Sequence, residues 1–355
     1  FLTNCYMFLS SFGKKSKTYS IDIFPWHYYQ PENTNNDSID SFPWHLYPKN
    51  TDKSKINLMD PVEFTEEDWI VFERIEKCGT KTFSQIIPIE VHKKLNTPSS
   101  VCPPNNHFLA TRYFGNIESC HLGFDCGSDI FYVKDKSKNL CQYIWAEHCD
   151  WSDLFSAFDA ENENIHPIII ARDPVKRTIS EYKQVYKHRG VAWDYCVNTV
   201  DGEEFTKENF INFLKDPRHS AGMRNRQTRM IAGCGSGISC EEKYSSEEEM
   251  LEAAKRNVLK SSLIGTLERL SEMLVTANYV FGWDIQEYDA VRGTTDFWVL
   301  DWDESDVRDI VLEYNNLDNI LFEFIDSIIE IRSRELEKIL GHSLPTTQCD
   351  DITCR

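Results

Sequence analysis

Two segments of this sequence gather cationic and hydroxyl side chains at a strand-to-helix junction. The first is Arg74-Ile75-Glu76-Lys77-Cys78-Gly79-Thr80-Lys81-Thr82-Phe83, which follows the apolar run Trp69-Ile70-Val71-Phe72. The aromatic and β-branched residues of that run suit a buried strand, and Gly79 supplies the turn after it. A helix starting at such a turn points free N–H groups and the positive end of its dipole toward the turn, where a phosphate-type anion can sit. Lys77 adds a mobile charge, and Thr80 and Thr82 add hydroxyl donors. The G-x-x-x-x-G-K-[ST] spacing is absent, so this is no Walker A loop, and on chemistry alone an ordinary strand-to-helix turn stays open beside the anion loop.

The second junction is Arg172-Asp173-Pro174-Val175-Lys176-Arg177 after the apolar run Ile168-Ile169-Ile170-Ala171. That run has the character of a central parallel strand covered on both faces. Asp173 and Pro174 fit the N-cap and first turn of a helix expected to reach about Arg189. Arg172 at the strand end and Ser180 on the helix can grip one phosphate through charge-assisted bonds. The alternative is that Asp173 and Pro174 merely start a helix while Arg172 pairs with a surface acid. Two basic clusters lie nearby in sequence, one of Arg218, His219, Arg224, Arg226 and Arg229 and the other of Lys183, Lys187, His188 and Arg189. They can meet an anionic partner or form solvated helix faces.

The elements that must position these groups alternate between strand and helix. A helix follows Gly79, and Pro88 is expected to end or kink it. Helical spacing marks Phe205 to Asp216, Met223 to Gly233 and Ser246 to Lys260. Ser262-Leu263-Ile264-Gly265 reads as another buried strand, with a helix from Leu267 to Phe281 and one or two more from Ser305 to Leu340. The expected class is α/β, with a central, largely parallel sheet flanked by helices. Residues 1–65 read as a low-order stem, 66–345 as the working domain and 346–355 as a C-terminal tail. The stem holds a short duplication, Ser20-Ile21-Asp22-Ile23-Phe24-Pro25-Trp26-His27 against Ser38-Ile39-Asp40-Ser41-Phe42-Pro43-Trp44-His45. Two copies cannot make a solenoid, and a metal role for His27 and His45 lacks an accompanying Cys or carboxylate set.

Across 355 residues there are 38 Lys and Arg against 57 Asp and Glu, a formal net charge of −19. That balance excludes general attraction to nucleic acid or to anionic membrane, so any anionic ligand needs a local basic pocket. Twelve cysteines without C-x-x-C or Cys/His zinc spacing point to disulfides in an oxidising compartment rather than to a metal. Local bridges are expected for Cys120 with Cys126, Cys234 with Cys240 and Cys349 with Cys354, while Cys78 lies inside the anion loop and is a candidate free thiol. The sequon Asn36-Asp37-Ser38 is compatible with a secretory route. Phe1 to Phe12 is too short to span a bilayer and is either the tail of an anchor upstream of residue 1 or an ordinary apolar segment. No pattern sets the oligomeric state.

Together the Lys77–Thr82 loop, the Arg172-Asp173-Pro174-Val175 element and Ser180 resemble the Golgi carbohydrate sulfotransferases, in the heparan sulfate 6-O-, 2-O- and uronyl 2-O-type branch. The resemblance covers about Asp68 to Leu340. Glu147-His148-Cys149-Asp150-Trp151-Ser152-Asp153-Leu154, Asn225-Arg226-Gln227-Thr228-Arg229-Met230 and Ala254-Lys255-Arg256-Asn257-Val258-Leu259 match the 6-O-enzymes best. Lys77-Cys78-Gly79-Thr80-Lys81-Thr82 is closer to the loop of the uronyl 2-O-enzymes.

The resemblance implies a P-loop-like sulfotransferase fold and sulfuryl transfer from 3′-phosphoadenosine 5′-phosphosulfate (PAPS) to a glycan hydroxyl. The products would be 3′-phosphoadenosine 5′-phosphate (PAP) and a sulfated glycan, with no metal. It makes His148 the general base, with Glu147 a candidate to orient it, and Lys77 the cation that neutralises charge on the leaving oxygen. Donor contacts would come from Arg74, Lys77, Cys78, Gly79, Thr80, Lys81, Thr82, Arg172 and Ser180, and from Arg292, Thr294 and Thr295 in the loop Tyr288–Thr295. Contacts to an anionic or neutral glycan would come from Trp151, Arg224, Arg226 and Arg229. The implied location is the Golgi lumen, as a type II membrane protein or a secreted form. A 2-O-sulfotransferase, a nucleotide kinase and an inactive glycan-binding module are the competing readings. The kinase lacks a Walker A lysine, and the presence of His148, Lys77 and Arg172 together argues against the inactive module.

Overall fold

The structure, a computed structural model, describes residues 61, 62, 65, 68–75, 78–95, 151, 164–187, 206–216, 223–234, 240–285 and 302–344, with the backbone of strands at 18–20, 114–115, 122–123, 143–147 and 287–289. The strands are β1 (Thr18–Ser20), β2 (Asp68–Arg74), β3 (Phe114–Gly115), β4 (Leu122–Gly123), β5 (Tyr143–Glu147), β6 (Asn164–Ala171), β7 (Leu263–Thr266) and β8 (Glu287–Asp289). The α-helices are α1 (Thr80–Leu95), α2 (Pro174–Lys187), α3 (Lys207–Lys215), α4 (Arg226–Ala232), α5 (Cys240–Lys243), α6 (Glu247–Leu259), α7 (Leu270–Phe281), α8 (Arg308–Tyr314) and α9 (Asn316–Leu340). Short 3₁₀ turns at Leu267–Arg269 and Glu304–Asp306 lead into α7 and α8.

The central sheet is parallel throughout, in the order β5-β2-β6-β7. Its inner strands carry uninterrupted apolar runs because helices cover both faces. Ile70, Phe72, Ile168, Ile169, Ile170, Leu263 and Ile264 are buried in one core with Ile87 and Val91 of α1, Leu274 and Phe281 of α7, and Phe324, Ile325 and Ile328 of α9. Gly265 allows α7 to lie directly on β7, since a Cβ there would meet Met273 Sδ at 1.9 Å. A second cluster joins α2, α3 and α8, where Tyr182 meets Phe210 and Phe213 at 4.9 Å each and Phe210 stacks on Trp302 at 5.3 Å. The chain leaves β2 toward β5 on one side and leaves β6 toward β7 on the other. The crevice beyond the carboxyl ends of β2 and β6 is therefore a topological switch point, the place where open α/β sheets bind ligands.

Expected and observed elements differ in four places. Helix α1 runs through Pro88 rather than ending there, because Ile87, Glu90 and Val91 around it are buried and tied down. Their packing offsets the roughly 3 kcal/mol that an internal proline costs. Helix α4 begins at Arg226 rather than near Met223, since Asn225 is held in the left-handed region at φ 47°. Strand β5 lacks a strong signal in a five-residue sequence, and Thr18–Ser20 of the expected stem pairs antiparallel with β8. Cys234 and Cys240 form the expected bridge, closing the segment between α4 and α5, and Cys78 is free and buried. Cys120, Cys126, Cys349 and Cys354 lie outside the described residues. Among the described residues no helix is long and apolar enough to cross a membrane, and no group of three or more His, Cys, Asp and Glu is placed to hold a metal.

At the opposite, amino-terminal edge of the sheet, adjacent strands are locked side chain to side chain. His166 Nε2 meets Asp68 Oδ1 at 2.8 Å and His166 Nδ1 meets Ser262 Oγ at 3.3 Å, joining β2, β6 and the approach to β7. Thr65 donates to Asp68 Oδ2 from its N–H at 2.5 Å and its hydroxyl at 2.6 Å. Burial works to raise the Asp68 pKa, but these bonds and the His166 ring outweigh it and hold the carboxyl below its usual range. Asp68→Ala should lower unfolding free energy by about 2–3 kcal/mol in urea titrations at neutral pH, because three donors lose their acceptor in a buried setting. The folded-state pKa is the lower one, so this contribution is complete above the ordinary carboxylate range and lost as pH falls through the depressed value. The gap between wild type and variant should therefore close in acid.

Candidate functional site

At the carboxyl end of β2 the chain turns through Cys78 and Gly79 into α1. Cys78 N–H donates to Ile75 O at 3.4 Å, and Thr82 N–H donates to Gly79 O at 3.1 Å, starting the helix. Gly79 has φ +75°, and a Cβ there would meet Leu267 Cδ1 at 2.6 Å, so both backbone conformation and space demand glycine. The turn thus lies against the 3₁₀ segment after β7. Cys78 and Thr82 are buried. Only the backbone of Arg74, Thr80 and Lys81 is described, and Lys77, His148, Arg292, Thr294 and Thr295 lie outside the described residues.

The carboxyl end of β6 is held from three directions. Gln227 of α4 meets both backbone polar atoms of Arg172: Arg172 N–H donates to Gln227 Oε1 at 2.8 Å, and Gln227 Nε2 donates to Arg172 O at 2.9 Å. The same Oε1 accepts the Cys78 thiol at 3.5 Å, which joins the two junctions through one side chain. Asp173 N–H donates to Glu268 Oε1 at 3.3 Å. Asp173 caps α2 as its sequence suggests, its Oδ1 accepting from Val175 N–H at 2.9 Å and Lys176 N–H at 3.0 Å. With these N–H groups occupied, the role expected above for Arg172 and half-buried Ser180 would fall to their side chains. Burial pushes the Cys78 thiol far up, against the opposing charges of Arg177 and Arg172, so it stays protonated and acts as a donor. Burial also raises the Glu268 carboxyl, with Arg172 opposing.

Behind the site lies a buried polar cluster. Asp318 of α9 is fully buried and accepts from Thr228 N–H and Oγ1 at 2.8 Å each and from Gln227 N–H at 3.2 Å, capping α4 from another helix. Asn225 returns the arrangement, its Oδ1 accepting from Leu317 N–H at 3.0 Å and Asp318 N–H at 3.3 Å at the start of α9. Arg177 of α2, also fully buried, lies 3.8 Å from Asp318 and donates to Glu181, to Met223 O at 2.6 Å and to Thr178 Oγ1 at 3.3 Å. Burial pushes the Asp318 carboxyl up, and the Arg177 charge and the Thr228 and Gln227 donors pull against it.

The expected acceptor arginines share these surroundings. Arg226 meets Glu181 at 3.4 Å, and Arg224 stacks on Tyr314 at 4.3 Å while donating to Leu214 O at 2.9 Å. Arg229 is largely buried, and that burial followed by the Arg226 charge lowers its pKa. Trp151, 7% exposed, packs into the main core. Reading the sequence alone missed the roles of Gln227, Glu268 and Asp318. Gln227 lies in a segment singled out above, but nothing in its spacing reveals a backbone clamp.

Residues 62–325 match the model of the sulfotransferase family. The chain is 25% identical over 328 residues to heparan-sulfate 6-O-sulfotransferase 1-B of Danio rerio, covering 79% of this chain and 72% of that protein. It is 26% identical over 315 residues to heparan-sulfate 6-O-sulfotransferase 1 of Homo sapiens, covering 77% and 69% respectively. It is 28% identical over 251 residues to heparan-sulfate 6-O-sulfotransferase 2 of Mus musculus, covering 61% and 37%. The matched region spans the parallel sheet, both strand-end junctions and the first part of α9, and this chain belongs to the sulfotransferase family.

Proposed function

We propose that this enzyme moves the sulfuryl group of PAPS onto a glycan hydroxyl, with heparan sulfate as the acceptor and the glucosamine 6-position as the target. One observation carries the reading: the two strand-end junctions meet at the switch point between β2 and β6, joined there through Gln227. The described residues fit an anionic nucleotide. Arg172 supplies positive charge, and the Gly79 turn, held to glycine by its positive φ and by Leu267, starts a helix at the facing junction. The donor supplies an activated sulfuryl group, and the protein's part is positioning and electrostatic stabilisation.

In this reading Arg74, Arg172 and Ser180 hold the 3′-phosphate, Lys77 and the Cys78–Thr82 turn hold the phosphosulfate end, and Arg292, Thr294 and Thr295 close over the nucleotide. His148 takes the acceptor proton as the hydroxyl oxygen bonds to sulfur and the sulfur–oxygen bond to the 5′-phosphate breaks, releasing PAP. Lys77 neutralises the charge left on that phosphate oxygen. Arginine and lysine supply the cationic charge in place of a metal ion. In the same proposal Arg224 and Arg226 face the acceptor side, while Trp151, packed in the core, and the largely buried Arg229 support it from behind. The Cys234–Cys240 bridge supports an oxidising compartment, here the Golgi lumen with type II topology. The Lys77–Thr82 loop favours one second reading, transfer to a uronyl 2-hydroxyl, because its sequence is closer to the 2-O-type enzymes.

Incubation with PAPS and a panel of desulfated glycans, followed by disaccharide mass spectrometry, should give 6-O-sulfated glucosamine. A 2-O-sulfated uronate would establish the second reading, and no transfer to any glycan would overturn both. Calorimetric PAP binding should survive EDTA, and a strict Mg²⁺ requirement would contradict the metal-free site. His148→Ala should lower turnover by about two to four orders of magnitude with PAP affinity nearly unchanged. Arg172→Ala should weaken PAP binding by about ten- to a hundredfold, the range for charge-assisted bonds present in the ground state. Near-normal turnover of the His148 variant would remove the general-base role.

A further inference from the structure

Gln227 does something that its sequence position does not announce. Where β6 leaves the sheet, the last pairs of its register are Ala171 with Thr266 of β7 and Ile169 with Glu73 of β2, so Arg172 lies just beyond the paired residues. Both of its backbone polar atoms are met by the Gln227 amide, at 2.8 and 2.9 Å. The polarity of the backbone fixes the amide orientation, oxygen toward the Arg172 N–H and nitrogen toward the Arg172 carbonyl. The oxygen also takes the Cys78 thiol from the facing junction at 3.5 Å. Gln227 is 1% exposed, and its own N–H is bonded to Asp318 at 3.2 Å, so the side chain leaves a backbone that is itself anchored.

We propose that Gln227 is a positioning residue for donor binding, its amide setting the Arg172 strand end against the Cys78–Gly79 turn so that both address one anionic ligand. The inference rests on the donor-site reading above. Gln227 acts through Arg172 and needs no contact with the nucleotide. It stands one residue from Arg226 on α4, so the helix carrying the proposed acceptor arginines also sets the geometry of the donor site. An apolar side chain of the same length would withdraw the amide from the half-buried Arg172 N–H and C=O, and the Arg172 backbone would shift in response.

The test is a double-mutant cycle on the full chain, with calorimetric PAP affinity and steady-state kinetics as readouts. Gln227→Met keeps length and volume while removing every hydrogen bond of the amide. It should weaken PAP binding by about tenfold and raise KM for PAPS alike, with kcat at saturating donor nearly unchanged, as expected when ground state and transition state lose the same contact. In an Arg172→Ala background the same change should cost less than about twofold, because the side chain being positioned is gone. Gln227→Glu keeps an acceptor for the Arg172 N–H but loses the donor to the carbonyl, and it carries the same cycle if the Met variant does not fold. Additive losses, or a Gln227→Met protein with wild-type PAP affinity, would overturn the inference. A wild-type protein that does not bind PAP would instead bring down the donor-site reading, and this inference with it.

Discussion

The carboxylate of Asp318 is the constraint on which the rest of the site depends. It is fully buried on α9, caps the start of α4 through Gln227 and Thr228, and faces the buried Arg177 of α2. Three helices therefore converge on one charge. Removing one partner from such a buried set typically costs about 3–5 kcal/mol, because the remaining charge stays desolvated and unpaired. The consequence for function is positional: α4 cannot rotate without disturbing Asp318, and while α4 is fixed the Gln227 amide stays on the Arg172 backbone. The reciprocal cap from Asn225 to the start of α9 requires the left-handed backbone seen at Asn225, a conformation that asparagine tolerates better than most residues.

The same arrangement fixes the arginines around α2 and α4 in a chain of net charge −19. Its arginines near the strand ends are held by specific neighbours: Arg177 by Glu181, Asp318 and a backbone carbonyl, Arg226 by Glu181, and Arg224 by the Tyr314 ring and another carbonyl. Fixed guanidinium groups lose less freedom when they meet an anion than mobile surface lysines do. Burial keeps the Cys78 thiol protonated within the same turn, so the free cysteine of the loop serves as a hydrogen-bond donor to Gln227 and not as a nucleophile.

Much of this was readable from sequence where the physics is local. The apolar runs 69–72 and 168–171 became the two central strands, Asp173 and Pro174 cap and start α2, and the helices near 207–215 and 247–259 follow from apolar spacing. Gly79 was readable as the turn between strand and helix, and its positive φ accounts for the glycine there. Long-range relations were not readable. Pro88 argues for a helix end, and only tertiary packing of Ile87 and Val91 overrules it. Asp318 looks like one more acid in an acidic chain until α9 lies across α4. The three-point role of Gln227 spans 55 residues to Arg172 and 149 to Cys78, separations that no periodic pattern encodes.

Hydrogen-exchange mass spectrometry of the full chain with and without PAP tests the central claim most directly, since it reads where the nucleotide sits without assuming a chemistry. Binding at the β2–β6 switch point predicts new protection confined to peptides covering the 75–82 turn, the 172–182 strand end and helix, and the 226–229 start of α4. Protection elsewhere, with these three segments unchanged, would contradict the placement of the donor site.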